Sequence, residues 1–335
     1  MGSENRNQLP PVRGLIVGNY CHDVLIRDDA VIAESLGGAA SFISTVLDGV
    51  SVSISSSYVS KVGSDFSYSV MHAPIVSPSS LTTLFHAYFS SVSTERQDRI
   101  LKRVRACDPI LPSDLPSSSF SFGMAVGVAG EILPETLERM IDLCDVVFAD
   151  IQALIREFDP IDGTVKLVPL KNTGFYSLLP RIGFLKASAE EAPFVDVDEV
   201  RKLCCVIVTN GKDGCTVYWK DGEHRIAPFP TAQIDPTGAG DSFLGGFTAG
   251  LVQGLSVADA ALVGNLFGSL TVDHIGLPKL DLKLLQRIKE ELVKRKMGCS
   301  EVHEKQLDKF AKPSGHQQFH TSLSAVKSIK SESAN

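Results

Sequence analysis

Short apolar runs and stretches of helical spacing alternate along this 335-residue chain, and that alternation narrows its fold more than any other feature. Gly14-Leu-Ile-Val-Gly-Asn19 is a brief apolar run ending in a turn, the mark of a buried strand. Gly37-Gly38 opens a stretch in which Phe42, Ile43, Val46 and Leu47 recur at helical spacing. Ser51–Ser60, with Val52 and Ile54 alternating with serines, reads as another strand. Strand, helix and strand in close succession is the pattern of a parallel α/β sheet.

The pattern continues downstream. Strands are predicted at Ser119–Val128, Val146–Asp150, Phe184–Ala187 and Cys205–Thr209, with a helix over Pro134–Cys144 whose proline suits a first turn. Gly214–Trp219 and Glu223–Pro228, divided by Lys220-Asp221-Gly222, read as a hairpin. Helices are predicted over Ser242–Leu251, Ala258–Val272 and Leu280–Lys296. The expectation is one large α/β domain over 13–297, with a mainly parallel central sheet flanked by helices and a small lid. Residues 1–12 read as a loose tail. From Gly298 onward Ser, Lys, His and Gln crowd out apolar residues. The 298–335 segment is therefore expected to be mostly disordered, its His316 and His320 solvated, and its removal harmless to activity.

Composition closes off several classes of function. A formal net charge of -7 and a pI near 5.6 argue against a nucleic-acid partner, which needs a basic face. The seven cysteines are odd in number and form no C-x-x-C pair, so reduced thiols in a cytoplasmic protein are expected rather than disulfides or a zinc cluster. The N-terminal stretch is polar and lacks the apolar core of a secretory signal. Arg6 breaks the pattern that would license myristoylation of Gly2. The run Ser242–Ala258 carries four glycines and Gln253 and is short for a membrane span.

The segment that carries chemistry is Asp235-Pro-Thr-Gly-Ala-Gly-Asp-Ser-Phe-Leu-Gly-Gly-Phe247. Gly238, Ala239 and Gly240 let the backbone turn sharply and approach a ligand. Phe243, Leu244, Phe247 and Leu251 mark a helix starting near Asp241. A glycine-rich turn feeding a helix leaves free N–H groups backed by the positive end of the dipole, a site for phosphate oxygens. An acid there would repel phosphate if binding were its only task. It makes sense as the acceptor of a proton from a hydroxyl lying beside that phosphate, the arrangement phosphoryl transfer requires. A bare G-x-G-D string is also met as an ordinary turn with a capping acid. No G-K-[ST] follows, so this is not a Walker A loop.

The whole string resembles the C-terminal signature of the ribokinase-like carbohydrate kinases, the phosphofructokinase B family, close to D-T-x-G-A-G-D-x-F-x-x-G. Asp235, Thr237, Gly238, Ala239, Gly240, Asp241, Phe243 and Gly246 match it, and Pro236 stands where a second Thr varies. The resemblance spans roughly residues 13–296. It implies a three-layer sandwich, ATP as phosphoryl donor, Mg2+ on the phosphates, Asp241 as general base, and the turn at Gly238, Ala239 and Gly240 as the phosphate site.

Further positions extend it. Gly18 followed five residues later by Asp23 matches a family element whose Asp binds substrate hydroxyls; a carboxylate that accepts two hydroxyl hydrogens is a good polyol hook. Cys21 stands where the family often has Asn. Leu36-Gly37-Gly38-Ala39-Ala40 resembles the family's substrate loop, and Lys61-Val-Gly63-Ser-Asp65 an architectural element. Phe184-Leu-Lys-Ala-Ser188-Ala-Glu-Glu191 aligns with an N-x-x-E segment, Ser188 replacing Asn. That alignment implies Ser188 near the phosphates and Glu191 near magnesium, through water. Thr209-Asn-Gly211-Lys-Asp-Gly214 resembles a nucleotide-side loop. Asn265 interrupts the stripe Ala258, Ala261, Leu262, Leu266 and Leu270. It corresponds to a family Asn beside the base or ribose, or else is an amide bonded to a neighbouring loop.

Thr82–Phe89 and Val146–Arg156 are most similar to the myo-inositol kinase branch of the family. The resemblance implies a small polyol as partner, myo-inositol converted to inositol monophosphate, under a lid from about 20–35 and 80–105. Two other readings stay open: another sugar or nucleoside kinase on the same scaffold, and a non-catalytic relative acting as a binding protein. The sequence leaves the oligomeric state open.

Overall fold

Alternate residues of the central strands face two separate cores. Ile16, Phe148 and Ile207 point to one side of the sheet, and Leu15, Val17, Val147, Ala149, Val206 and Val208 to the other, all buried. Strands buried on both faces belong in a parallel sheet covered by helices, and that is the architecture here. The computed structural model describes residues 12–50, 54–89, 100–300 and 310–332.

The main sheet has eight strands in the order Gly222–Ile226, Cys215–Trp219, Cys205–Thr209, Phe184–Ser188, Val147–Asp150, Phe122–Ala125, Val12–Val17 and Ile54–Val59. From Cys205–Thr209 to Ile54–Val59 all pairings are parallel; the hairpin at the other edge is antiparallel. The helices are α1 (Ala39–Val50), α2 (Pro134–Leu143), the short α3 (Gln152–Ile155) and α4 (Val197–Val200), α5 (Ala239–Val252), α6 (Val257–Thr271), α7 (Leu282–Ser300) and α8 (His316–Glu332). Helices α1, α5, α6, α7 and α8 fill the first core; α2, α3 and α4 contribute to the second. The predicted fold class and element order hold, with boundaries displaced by a few residues.

Two regions depart from the expectation. Residues 21–35 read as a polar excursion, yet Cys21–Arg27 and Ala30–Gly37 are strands joined by a turn at Asp28 and Asp29, both with left-handed φ. With Thr83–Phe89 and Ile100–Arg105 they form a four-stranded sheet apart from the main one. Its outer face carries exposed apolar residues such as Val31, Ile100 and Val104, so the strands lack a clean apolar–polar alternation. Residues 90–99, in the span assigned to a lid, lie outside the described residues, as do 1–11 of the expected N-terminal tail.

The second departure is a correction to the tail expected to be disordered. Helix α7 runs to Ser300, and α8 follows with Phe319, Leu323 and Val326 buried against the first core. His316 and His320 are not solvated. His316 Nδ1 is hydrogen-bonded to Asp259 Oδ1 at 2.7 Å, while Arg295 Nε donates to the other oxygen of the same buried carboxylate at 2.7 Å. His320 Nε2 donates to the Pro228 carbonyl at 3.0 Å. Three apolar residues at helical spacing are too sparse to alter the composition of the segment, but they suffice to bury one face of the helix.

Among the described residues no helix is long and apolar enough to cross a membrane. The six described cysteines are free thiols, five of them buried.

Candidate active site

The parallel strands deliver their polar residues to one end of the sheet. Asp150 ends Val147–Asp150, Ser188 ends Phe184–Ser188 and Thr209 ends Cys205–Thr209; the register pairs Asp150 with Lys186 and Ser188 with Thr209. The carboxyl ends of parallel strands are where such sheets collect ligands. Lys186 Nζ donates to Asp150 Oδ2 at 3.0 Å, and both side chains are buried. Burial pulls the ammonium down, but Asp150, Glu191 and Asp241 outweigh it and hold Lys186 protonated. Burial also pushes the Asp150 carboxyl up, to about 6, against the pull of Lys186.

The glycine turn lies directly over this ammonium. Gly238 has φ 75, in the left-handed region, and a Cβ there would fall 2.0 Å from the Phe42 ring on α1. At Gly240 a Cβ would fall 2.6 Å from Lys186 Nζ. Only glycine lets the backbone settle against both neighbours. The buried Asp235 fixes the approach by accepting the Thr237 N–H at 2.9 Å. Ala239 and Gly240 open α5, whose first N–H groups have no partner within the helix. The Ala239 N–H donates to the Pro236 carbonyl at 3.3 Å, and the other amides of this first turn, the helix dipole and the buried lysine beneath make an anion site.

Asp241 stands in the first turn of α5 and faces the cavity beside that turn. Its Oδ1 accepts from Gln152 Nε2 at 3.0 Å. Burial pushes its carboxyl above the ordinary carboxylate range; Lys186, Arg156 and the Gln152 amide pull it back without cancelling the effect. A carboxylate so placed can take a proton from a hydroxyl while the turn binds the oxygens of a phosphoryl group.

The cavity joins Asp241 to the four-stranded sheet. Asp23, Gly38, Phe42, Gln152 and Arg156 line it with Asp241, and Phe85 of the second sheet adds an apolar wall. Asp23 lies in Cys21–Arg27, opposite Ser35 in the neighbouring strand. Gly37 sits so close that a Cβ there would lie 2.0 Å from Asp23 Oδ2. The structure therefore gathers Asp23, Gly38, Gly238 and Asp241 around one space, with Gly37 against Asp23 and Ala239 and Gly240 next to Gly238 in the turn.

The remaining candidates lie outside that lining. Ser188 and Glu191 bond each other reciprocally: Ser188 N donates to Glu191 Oε2 at 2.8 Å, and Glu191 N donates to Ser188 Oγ at 3.3 Å. Glu191 is buried, and although burial pushes its carboxyl up, Lys186, Arg156 and the Ser188 N–H outweigh it and keep it ionised. The serine that replaces the family Asn is thus a cap for the following turn. Thr209 and Gly211 stand at the end of Cys205–Thr209, where a Cβ on Gly211 would meet open space. Asn265 donates its amide to the Ile226 and Ala227 carbonyls at 3.3 and 2.8 Å. Of its two sequence readings, the bond to a neighbouring loop is the one seen.

Four side chains of the site had no assigned role in the sequence. Asp150, Gln152 and Arg156 sit within one seven-residue stretch whose partners are remote in the chain. Lys186 did leave a signal: a lone lysine inside an apolar strand must find a carboxylate when buried.

The pfkB family carbohydrate kinase profile matches residues 190–280. The chain is 59% identical to inositol 3-kinase of Arabidopsis thaliana over 97% of its own length and 90% of that protein. It is 53% identical to inositol 3-kinase of Oryza sativa subsp. japonica over 94% of its length and 82% of that protein. In fold it is similar to a pyrophosphate-dependent kinase of the ribokinase family solved with a pyrophosphate analog and myo-inositol, with a TM-score of 0.66 and 17% identity over 79% of this chain and 97% of the other. The nucleoside kinase of Methanocaldococcus jannaschii gives a TM-score of 0.60 at 19% identity, over 85% of this chain and 98% of the other.

Proposed function

The chain belongs to the pfkB family of carbohydrate kinases, and from that premise we propose that it moves the γ-phosphate of ATP onto the 3-hydroxyl of myo-inositol. The observation that carries the reading is the single cavity shared by Asp241, the α5 turn and Asp23. It supports a direct transfer between donor and acceptor, with the substrate class taken from the relatives at 51–59% identity.

Asp23 and the Gly37-Gly38 loop hold the acceptor hydroxyls. Asp241 takes the proton of the attacking hydroxyl as its oxygen bonds to phosphorus and the bond to ADP breaks. The amides of Gly238, Ala239 and Gly240, with Lys186 behind them, hold the phosphate oxygens. Ser188, Thr209, Gly211 and the hairpin end braced by Asn265 border the nucleotide. The second sheet acts as the lid that keeps water from the phosphoryl group.

Magnesium, when bound, offsets negative charge on the phosphates. The residues fit a metal held mostly by phosphate and water: among the described residues no group of three or more His, Cys, Asp or Glu could cage an ion. Glu191 is ionised and has one carboxylate oxygen committed to Ser188, leaving the other for a metal-bound water. Unpaired, mostly buried thiols support a reducing compartment such as the cytoplasm.

The test is ADP release with ATP and magnesium across myo-inositol, ribose, fructose and adenosine. Turnover with myo-inositol, lost in Asp241→Asn, is expected. Turnover with another acceptor only would keep the mechanism and discard the substrate. Silence on all four with ATP bound would turn the reading toward a binding protein.

A further inference from the structure

Arg156 is a cation of the acceptor cavity that no carboxylate of the described residues contacts, although Glu191 and Asp241 feel its charge. Its guanidinium lines the space shared by Asp23 and Asp241. Nη1 donates to the Val128 carbonyl at a long 3.3 Å, and Nε is buried with no partner. Among the described residues no carboxylate oxygen comes within ion-pair distance of it, whereas buried Lys186 is paired with Asp150 at 3.0 Å. If Arg156 served only to balance Glu191 and Asp241, it would have closed on one of them.

A partly buried guanidinium without a counter-ion is costly. A neutral polyol does not require it, since hydroxyls are met by Asp23 and by amides. It also acts against the reaction, because a cation near Asp241 makes that carboxylate a weaker base. Glu191 and Asp241 offset part of that cost from a distance, and an anion arriving in contact would offset the rest. The reaction proposed above brings one, the phosphoryl group in flight and then the phosphate ester of the product. A guanidinium fork matches phosphate oxygens in shape and charge.

We propose that Arg156 grips the transferred phosphoryl group from the acceptor side, during transfer and in the phosphorylated product. The inference rests on the kinase reading and deepens it. Arg156 makes and breaks no bond. The acceptor oxygen joins phosphorus, its proton passes to Asp241, ADP leaves, and Arg156 holds oxygens that remain on phosphorus throughout. Held this way, the product phosphate cannot slide back into the donor site.

The test compares Arg156→Gln and Arg156→Lys with wild type, using calorimetric affinities for myo-inositol and myo-inositol 3-phosphate together with steady-state kinetics. For Arg156→Gln the affinity for the phosphate is expected to fall about tenfold or more and that for myo-inositol less than about twofold. The kcat should drop on the order of 10²-fold, as when one transition-state donor is lost. Arg156→Lys, keeping charge without the fork, should lie between. Equal losses for both ligands would make Arg156 a structural or hydroxyl-binding residue, and no loss for either would remove it from the site; each overturns the proposal. If Arg156→Gln does not fold, Arg156→Lys carries the comparison, and equal affinity ratios in it and wild type overturn the proposal. A wild type inactive with every polyol would instead reject the kinase reading.

Discussion

The two ends of the cavity are built on different principles. At the α5 end Lys186, Asp150 and Glu191 are buried and Asp241 half-buried, and all are engaged: Lys186 with Asp150, Glu191 with Ser188, Asp241 with Gln152. All of them sit at or just beyond the carboxyl ends of parallel strands, or in the first turn of a helix packed in the core. At the other end Asp23 lines the cavity beside Leu25, Phe85 and Leu101, on a thin sheet whose outer residues Val31, Ile100 and Val104 are each at least half exposed. The difference teaches a division of labour. The charged end is anchored in the main body, and the end proposed to meet the acceptor is carried on a lighter frame.

The sharpest way to break the contrast is at Asp241. Asp241→Asn should keep ATP binding and lose about 10²–10⁴ in kcat, the usual worth of a general base; near-normal turnover would reject the assignment. Next comes the support of the body. Leu323 of α8 is fully buried, so Leu323→Ala is expected to cost about 2–5 kcal/mol of stability in denaturant unfolding while the acceptor KM stays unchanged. Removing 298–335 should likewise destabilise the protein, contrary to what its composition suggests, and an unaltered midpoint would show α8 to be idle. At the lighter end, Asp23→Ala should raise the acceptor KM about 10–100-fold with a smaller change in kcat, worth about 1.4–2.7 kcal/mol. An unchanged KM would take Asp23 out of the site. The smallest effect is in pH. Asp241 acts deprotonated and its carboxyl lies above the ordinary range, so kcat/KM should fall with acid through a midpoint higher than that of a free carboxylate. A limb at the ordinary carboxylate position would mean that burial does not tune the base.

The main sheet was legible because its strands are buried on both faces and its helices announce themselves by spacing, as in Phe42, Ile43, Val46 and Leu47. The turn at 238–241 was legible because its chemistry is local: every group that defines it is a near neighbour in the chain. Lys186 beneath Gly240 was not, because 54 positions separate them in sequence and only the strand order brings them together. Arg156 and Gln152 were hidden for the same reason. The second sheet escaped because its exposed face also carries apolar residues, which blurs the alternation, and α8 because three buried side chains vanish in a polar average.

Asp23 belongs to the very sheet that covers the cavity, and Gly37 of the adjoining strand lies against it. An acceptor that binds Asp23 therefore binds the roof, not the floor. If the four-stranded sheet closes as the proposed lid, arrival of an acceptor at Asp23 and closing of the roof would be one event, and the same compound would have to wait for the roof to open.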